Sequence, residues 1–273
     1  MKKFNFVGFD LETQGDAPLY ALQPFRAIND RAKITSFALW SEKDGLIASG
    51  LNPRPNEISE KLALVYESEN NVIVGWNVIF DLSFALAAGV QLPFNLRVLD
   101  AQILRRLALN SPTQRERGFW SLKRAVKEEF PEHADYAKEV DFERTDETLL
   151  AYNELDANFT ALLARHYYEK LSDRERTCAQ IRCAELVAIS YAVVRGIPLD
   201  ENAVTTEIET TNREILRILE ECNISFETLR SPQRLRALLN SLGIHVCNTD
   251  KHALAKYSSN ELVQKIQRAR EAA

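Results

Sequence analysis

Residues 4–9 read FNFVGF, an apolar run that passes directly into Asp10 and Glu12. In a β-strand, residues i and i+2 point to the same face. A strand here therefore delivers two carboxylates side by side at the edge of a hydrophobic core. Carboxylates in that position are costly unless something compensates them, and a divalent cation, which takes oxygen ligands, is the natural compensation. A solvated strand end leading into the polar residues 13–16 accounts for the pair equally well.

The rest of the first half places that strand in a sheet. Residues 34–40 (ITSFALW) and 45–49 read as further strands, and 71–75 (NVIVG) as a short β-branched one. Residues 56–69 have helical spacing, with Ile58, Leu62 and Val65 on one side, and 77–88 form an apolar helical stretch. From residue 100 to 171 the pattern is dominantly helical. Strands first, with helices interleaved and then stacked, predict an α/β domain: a mixed sheet flanked by helices. Beyond residue 171 no strand alternation is evident. One helix is expected over 174–195, stopped by Gly196 with Pro198 two residues on. Another covers 201–222, a third opens at Ser231-Pro232, and a last begins near Ser259. The expected division is 1–172 for the α/β domain and 173–273 for an all-α segment.

Composition narrows the class. At 273 residues, 45% hydrophobic and 27% charged, the chain is neither disordered, collagen-like nor a disulfide-stapled miniprotein. The net charge of −5 excludes a polybasic nucleic-acid binder and leaves room for a local basic groove. Residues 1–173 carry 20 basic and 26 acidic side chains, and residues 174–273 carry 14 and 13. Cys178, Cys183, Cys222 and Cys247 form no CxxC pair, so reduced thiols in a cytoplasmic setting are expected rather than a zinc site. The first ten residues are too short for a signal peptide's apolar region, and no stretch is expected to approach the ~20 apolar residues of a membrane span.

Two further constellations carry chemistry. Asn77 and Asp81 are spaced i, i+4 within GWNVIFDLSFAL, and Tyr152 and Asp156 are spaced i, i+4 within LLAYNELDANFTALL. Each pair alone reads as the wet stripe of a helix, Asp156 together with Asn153 or Thr160. Phe119 and Trp120, in the loop before a helix, read as core anchors or as rings open to stacking on a ligand. His133, His166, His245 and His252 have no ligand spacing and read as incidental.

Taken in order, FDLET at 9–13, NVIFD at 77–81 and YNELD at 152–156 resemble the DxE, NxxxD and YxxxD motifs of the DEDD exonuclease superfamily, in its tyrosine subtype. The middle motif, preceded by Val74-Gly75, is more similar to the proofreading domain of family A DNA polymerases than to ribonuclease D. Asp100 in VLDAQIL resembles the helix start between the second and third motifs. Leu11 between the acids and Trp76 before Asn77 depart from the commonest form, at non-ligand positions. Further on, RCAELVAISYAVVRGIPLD at 182–200 and SPQRLRALLNSLGI at 231–244 resemble the beginning of the polymerase thumb. Nothing resembles the palm or fingers.

The resemblance implies a ribonuclease H-like exonuclease domain followed by a thumb-like segment. It implies two Mg²⁺ or Mn²⁺ ions, with Asp10, Glu12 and Asp156 on the first, Asp10 also reaching the second, and Asp81 supporting that one through water. Tyr152 would orient the attacking water, and Thr13 and Asn77 would contact the terminal nucleotides. The implied partners are a single-stranded DNA 3′ end, a primer-template duplex and a separate polymerase palm and fingers chain, in a bacterial or phage setting. A ribonuclease D-like RNA 3′-end exonuclease and a non-catalytic DNA-clamping half of a split polymerase are the competing expectations.

Overall fold

A computed structural model describes residues 4–16, 23–29, 31–93, 95–110, 118–138, 140–141 and 145–272. β1 (Asn5–Gly15) is the central strand of a five-stranded sheet with β2 (Ala32–Ser41), β3 (Gly45–Leu51), β4 (Asn71–Gly75) and β5 (Val98–Asp100), in the order β3-β2-β1-β4-β5. β1 and β3 pair with β2 antiparallel, whereas β1–β4 and β4–β5 are parallel. The sheet is thus mixed, as expected from the sequence. α1 (Pro55–Tyr66) and α2 (Val78–Ala87) make the two crossovers of the parallel half. The β1 run extends well past its apolar core because β2 continues to pair with it as far as Gly15. β5 is three residues long and was not legible as a strand, being too short to show alternation.

α3 (Ala101–Leu109) and α4 (Leu122–Glu129) lead to α5 (Glu147–Lys170), the longest helix. Asp146 caps α5 by accepting from the Thr148 and Leu149 amides. α5 lies across β1, β2 and β3. Two polar ties fasten it: Ser49 Oγ donates to Glu154 at 2.5 Å, and Arg165 donates to the Glu42 carboxylate and, at 2.6 Å, to the Phe4 carbonyl. The core between sheet and helices is built from Phe6, Phe9, Leu39, Ile73, Leu82 and Leu163 among others, all shielded from solvent.

The single helix expected over 174–195 is two, α6 (Asp173–Ala184) and α7 (Leu186–Arg195). Glu185 between them stays in the right-handed region (φ −85°, ψ −15°), so the interruption is one loosened turn. α6 packs on β5 and α3, and α7 on α2. Ala179, Cys183, Leu186 and Val187 lie in the same core as the sheet. The first compact unit therefore runs to Gly196, and the end of α5 near residue 172 is not where packing divides. Residues Asp173–Arg195 are also, by length and composition alone, long and apolar enough to cross a membrane. This corrects the expectation that no such stretch exists.

The second unit, Ile197–Ala273, contains α8 (Glu201–Cys222), α9 (Phe226–Arg230), α10 (Pro232–Ser241), α11 (Lys251–Ala255) and α12 (Glu261–Ala272). Its own core gathers Ile218, Leu229, Leu235, Leu239, Val263 and Ile266. Ser231 caps α10 with Pro232 at the first helical position, as the sequence predicts. α9 and α11 are single turns of five residues, too brief for a periodic signal.

Candidate active site

The site begins with a glycine. Gly8 lies two residues before Asp10 on β1, so Gly8, Asp10 and Glu12 share one face of the strand. A Cβ on Gly8 would stand 1.9 Å from the Ala157 carbonyl oxygen of α5. The missing side chain lets the helix backbone close onto the strand, which brings Asp156 beside Asp10. Asp10, Glu12 and Asp156 each offer an oxygen within 4.8 Å of the others. Asp81 comes from the first turn of α2 and is 5% exposed. Its Oδ1 accepts from the Leu11 amide of β1 at 3.2 Å, between the two β1 acids. Four carboxylates from β1, α2 and α5 thus meet at one place.

The placement of α2 depends on another acid. Asp100 caps α3 by accepting from the Gln102 and Ile103 amides at 2.8 and 3.2 Å. The same carboxylate accepts from Val78 at 2.9 Å, the first residue of α2. One buried side chain therefore satisfies orphan donors of two helix starts. The expectation that Asp100 opens a helix is met, and it fixes the start of α2 as well.

Burial is the main electrostatic fact. It raises the Asp10 and Asp81 carboxyls well above the usual carboxylate range, and the neighbouring acids raise them further. Burial and Asp156 push Glu12 up to about 8. Asp156 is raised by burial to about 6, held from going higher by hydrogen bonds from Tyr136 and Tyr152 and by Lys123. Tyr152 is a buried phenol raised far above its ordinary value by desolvation and by Asp156, so it is a hydroxyl at any working pH.

The donor set fits a hard divalent cation. The oxygens are carboxylate oxygens, they face one another although they repel, and a metal–oxygen distance of about 2.0–2.6 Å spans oxygens up to about 4–5 Å apart. Among the described residues, Asp10, Glu12 and Asp156 form the group so arranged.

Other expected residues fall differently. Asn77 is not on the helix. It is the residue before it, in the left-handed region (φ 62°, ψ 47°), so the i, i+4 face it was to share with Asp81 does not exist. Asp81, read as part of a wet stripe with Asn77, is buried, as is Ser83 two residues on. The Asn77 side chain is exposed. Thr13 is buried on β1, just past an irregularity in its pairing with β2. Phe119 and Trp120 are anchored: the Arg105 guanidinium lies 4.7 Å from the Phe119 ring, that of Arg106 4.7 Å from the Trp120 ring, and Trp76 and Gln102 donate to the Trp120 carbonyl. His166 contacts the Glu129 carboxylate through its ring at 2.6 Å.

Three residues at the site escape the motif reading. Asn153 is fully buried and donates from Nδ2 to Asp10 Oδ2 at 2.6 Å. Its place one turn before Asp156 was the available signal. The Lys123 ammonium lies 5.2 Å from the Tyr152 ring centre and favours the ionised forms of Glu12 and Asp156. Tyr136 donates to Asp156 Oδ1 at 2.5 Å. Nothing in sequence marks Lys123 or Tyr136, which come from a helix start and a turn far from the motifs.

No family model and no curated protein matches the chain. Among solved structures it is similar to the POL domain of Pol1 from M. smegmatis in complex with DNA primer-template and dNTP. There the TM-score is 0.62 and the identity 15%, over 97% of this chain and 44% of that one. It is also similar to NrnC from Brucella melitensis, with TM-score 0.51 and 18% identity over 71% of this chain and 88% of that one. The chain thus spans less than half of the polymerase chain it matches. At such identities the likeness establishes the fold alone, a ribonuclease H-like mixed sheet flanked by helices with a helical C-terminal part.

Proposed function

We propose that this chain is a divalent-metal-dependent 3′–5′ exonuclease that hydrolyses single-stranded DNA from its 3′ end to nucleoside 5′-monophosphates. The observation that carries the reading is the convergence of Asp10, Glu12, Asp81 and Asp156 on one face of β1. Asp10, Glu12 and Asp156 would hold Mg²⁺ or Mn²⁺, with Asp81 supporting a second ion. Bound cations of this kind acidify an attacking water and stabilise a leaving oxygen. The protein's own groups do the rest. Asn153 keeps Asp10 oriented from behind. Tyr152, being locked as a phenol, cannot act as a full base and serves to orient water through its oxygen. Asn77, exposed at the start of α2, and Thr13 would touch the terminal nucleotides.

The substrate and partner follow the same reading. A single-stranded end of a few nucleotides makes few phosphate contacts, so a negatively charged first unit is compatible with it. The similarity to a polymerase structure that holds primer-template DNA supports a proofreading role beside a duplex, with palm and fingers lying outside residues 1–273. The test uses matched 5′-labelled DNA and RNA oligonucleotides with Mg²⁺ or Mn²⁺. Single-nucleotide ladders from the 3′ end of DNA are expected, and Asp10→Ala or Asp156→Ala should lower the rate by at least about 100-fold. Preference for RNA would replace DNA by the RNA-trimming alternative, and full activity of an Asp10→Ala, Glu12→Ala protein would sink the nuclease reading.

A further inference from the structure

Tyr136 lies outside every motif, yet it makes one of the closest polar contacts in the site. Its Oη is 2.5 Å from Asp156 Oδ1. Its ring stacks on that of Tyr152, with centroids 5.9 Å apart and planes 10° from parallel. The far side of the contact is built to hold it there. Phe159 of α5 meets the Tyr136 ring at 4.9 Å, Phe130 stacks on Phe159 at 6.1 Å, and the Tyr136 amide donates to the His133 carbonyl at 3.1 Å. Tyr152 also hydrogen-bonds Asp156. Two near-parallel phenols therefore hold one carboxylate.

A carboxylate has about four lone-pair positions. Two phenol donors occupy two of them and leave the others for a cation, while restricting rotation of the group. Hydrogen-bonding partners of ligating carboxylates typically matter about 10–100-fold in metal affinity or activity. A carboxylate with two such partners tolerates the loss of either, since the remaining one still limits its orientation.

We infer that Tyr136 is a positioning residue that shares with Tyr152 the task of fixing Asp156 for metal, so that the site has a paired-tyrosine clamp in which neither member is decisive alone. The inference rests on the nuclease reading for its kinetic consequence but not for its metal-binding one.

The test is a cycle of Tyr136→Phe, Tyr152→Phe and the double variant, with Phe chosen because it keeps both rings and their stacking. Mn²⁺ affinity is measured by electron paramagnetic resonance, melting temperature by calorimetry, and kcat and KM on a DNA oligonucleotide. Each single variant should bind Mn²⁺ a few-fold more weakly, with melting temperature nearly unchanged. The double variant should lose about 100-fold, more than the product of the singles. In the kinetic arm, kcat should follow the same pattern while KM for the oligonucleotide stays put. A Tyr136→Phe protein with wild-type Mn²⁺ affinity, or a double variant whose losses merely multiply, would overturn the clamp. If the wild type degrades no oligonucleotide but the Mn²⁺ cycle shows the expected excess loss, the function reading fails and the clamp stands.

Discussion

Glu12 has a partner problem that only pH or a cation can resolve. Its carboxyl titrates near 8 and that of Asp156 near 6, both raised first of all by burial. A group whose folded pKa is raised gives stability that is fully present below its unfolded pKa of about 4 and lost as pH rises through the folded value. The metal-free protein should therefore lose stability between pH 4 and about 8. Glu12→Gln should melt higher than the wild type at pH 8.5 without metal and show little gain at pH 5.5. Calorimetry in chelator checks this, and an equal gain at both pH values would contradict it. At this scale Asp10 and Glu12 were legible because charged residues ending an apolar strand break the period that surrounds them. Lys123 and Tyr136 were not, because residues brought together by tertiary folding leave no trace in spacing.

Elements set the distances that these residues need. α5 can approach β1 only because residue 8 lacks a side chain, and the obstructing atom would be backbone, which cannot swing aside. Gly8→Ala should cost at least about 2 kcal/mol through overpacking. A shift of α5 by about 1 Å relative to Asp10 should lower exonuclease turnover by about 100-fold. Denaturant titration and single-turnover rates separate the two effects, and a fully active Gly8→Ala protein would show that the helix position is not critical. Asn77 poses the opposite case. Its left-handed backbone suits glycine, so Asn77→Gly should keep stability within about 0.5 kcal/mol and report on the side chain alone. A raised KM for oligonucleotide is expected, and an unchanged one would remove Asn77 from the substrate contacts. α8 was readable from periodicity over 201–222, whereas α5 was legible only as part of a helical stretch from 100 to 171 that in fact includes the turns around residues 131–138. β5 and the short helices were not legible, and the change at residue 172 marked the end of a helix rather than of a packing unit.

At the scale of the whole chain, two cores are joined through residues 196–200, where Ile197 is 86% and Leu199 71% exposed. Extended, solvent-facing chain between compact units is where proteases cut. Limited trypsin treatment should cleave after Arg195 first and leave a fragment near residues 1–195. That fragment should retain metal-dependent degradation of single strands, because all four acids and both tyrosines belong to it. Loss of activity on cleavage would mean that residues 197–273 contribute to the reaction itself. Residues 1–273 should incorporate no nucleotide on a primed template, because nothing in them resembles palm or fingers, and primer extension by them alone would refute that reading.

The formal charge of −5 counts every acid as ionised. With Glu12 pushed up to about 8 by burial and Asp156, the metal-free protein at neutral pH is less anionic than that count, because this carboxyl still largely holds its proton. Loading a divalent ion then releases protons from the carboxyls that hold them. The protons released offset part of the charge that the metal brings, so total charge changes by less than the formal charge of the ion. The charge gained sits at the carboxylates of one site, and with a screening length of about 8 Å at physiological salt it acts on the phosphates at close range and little beyond.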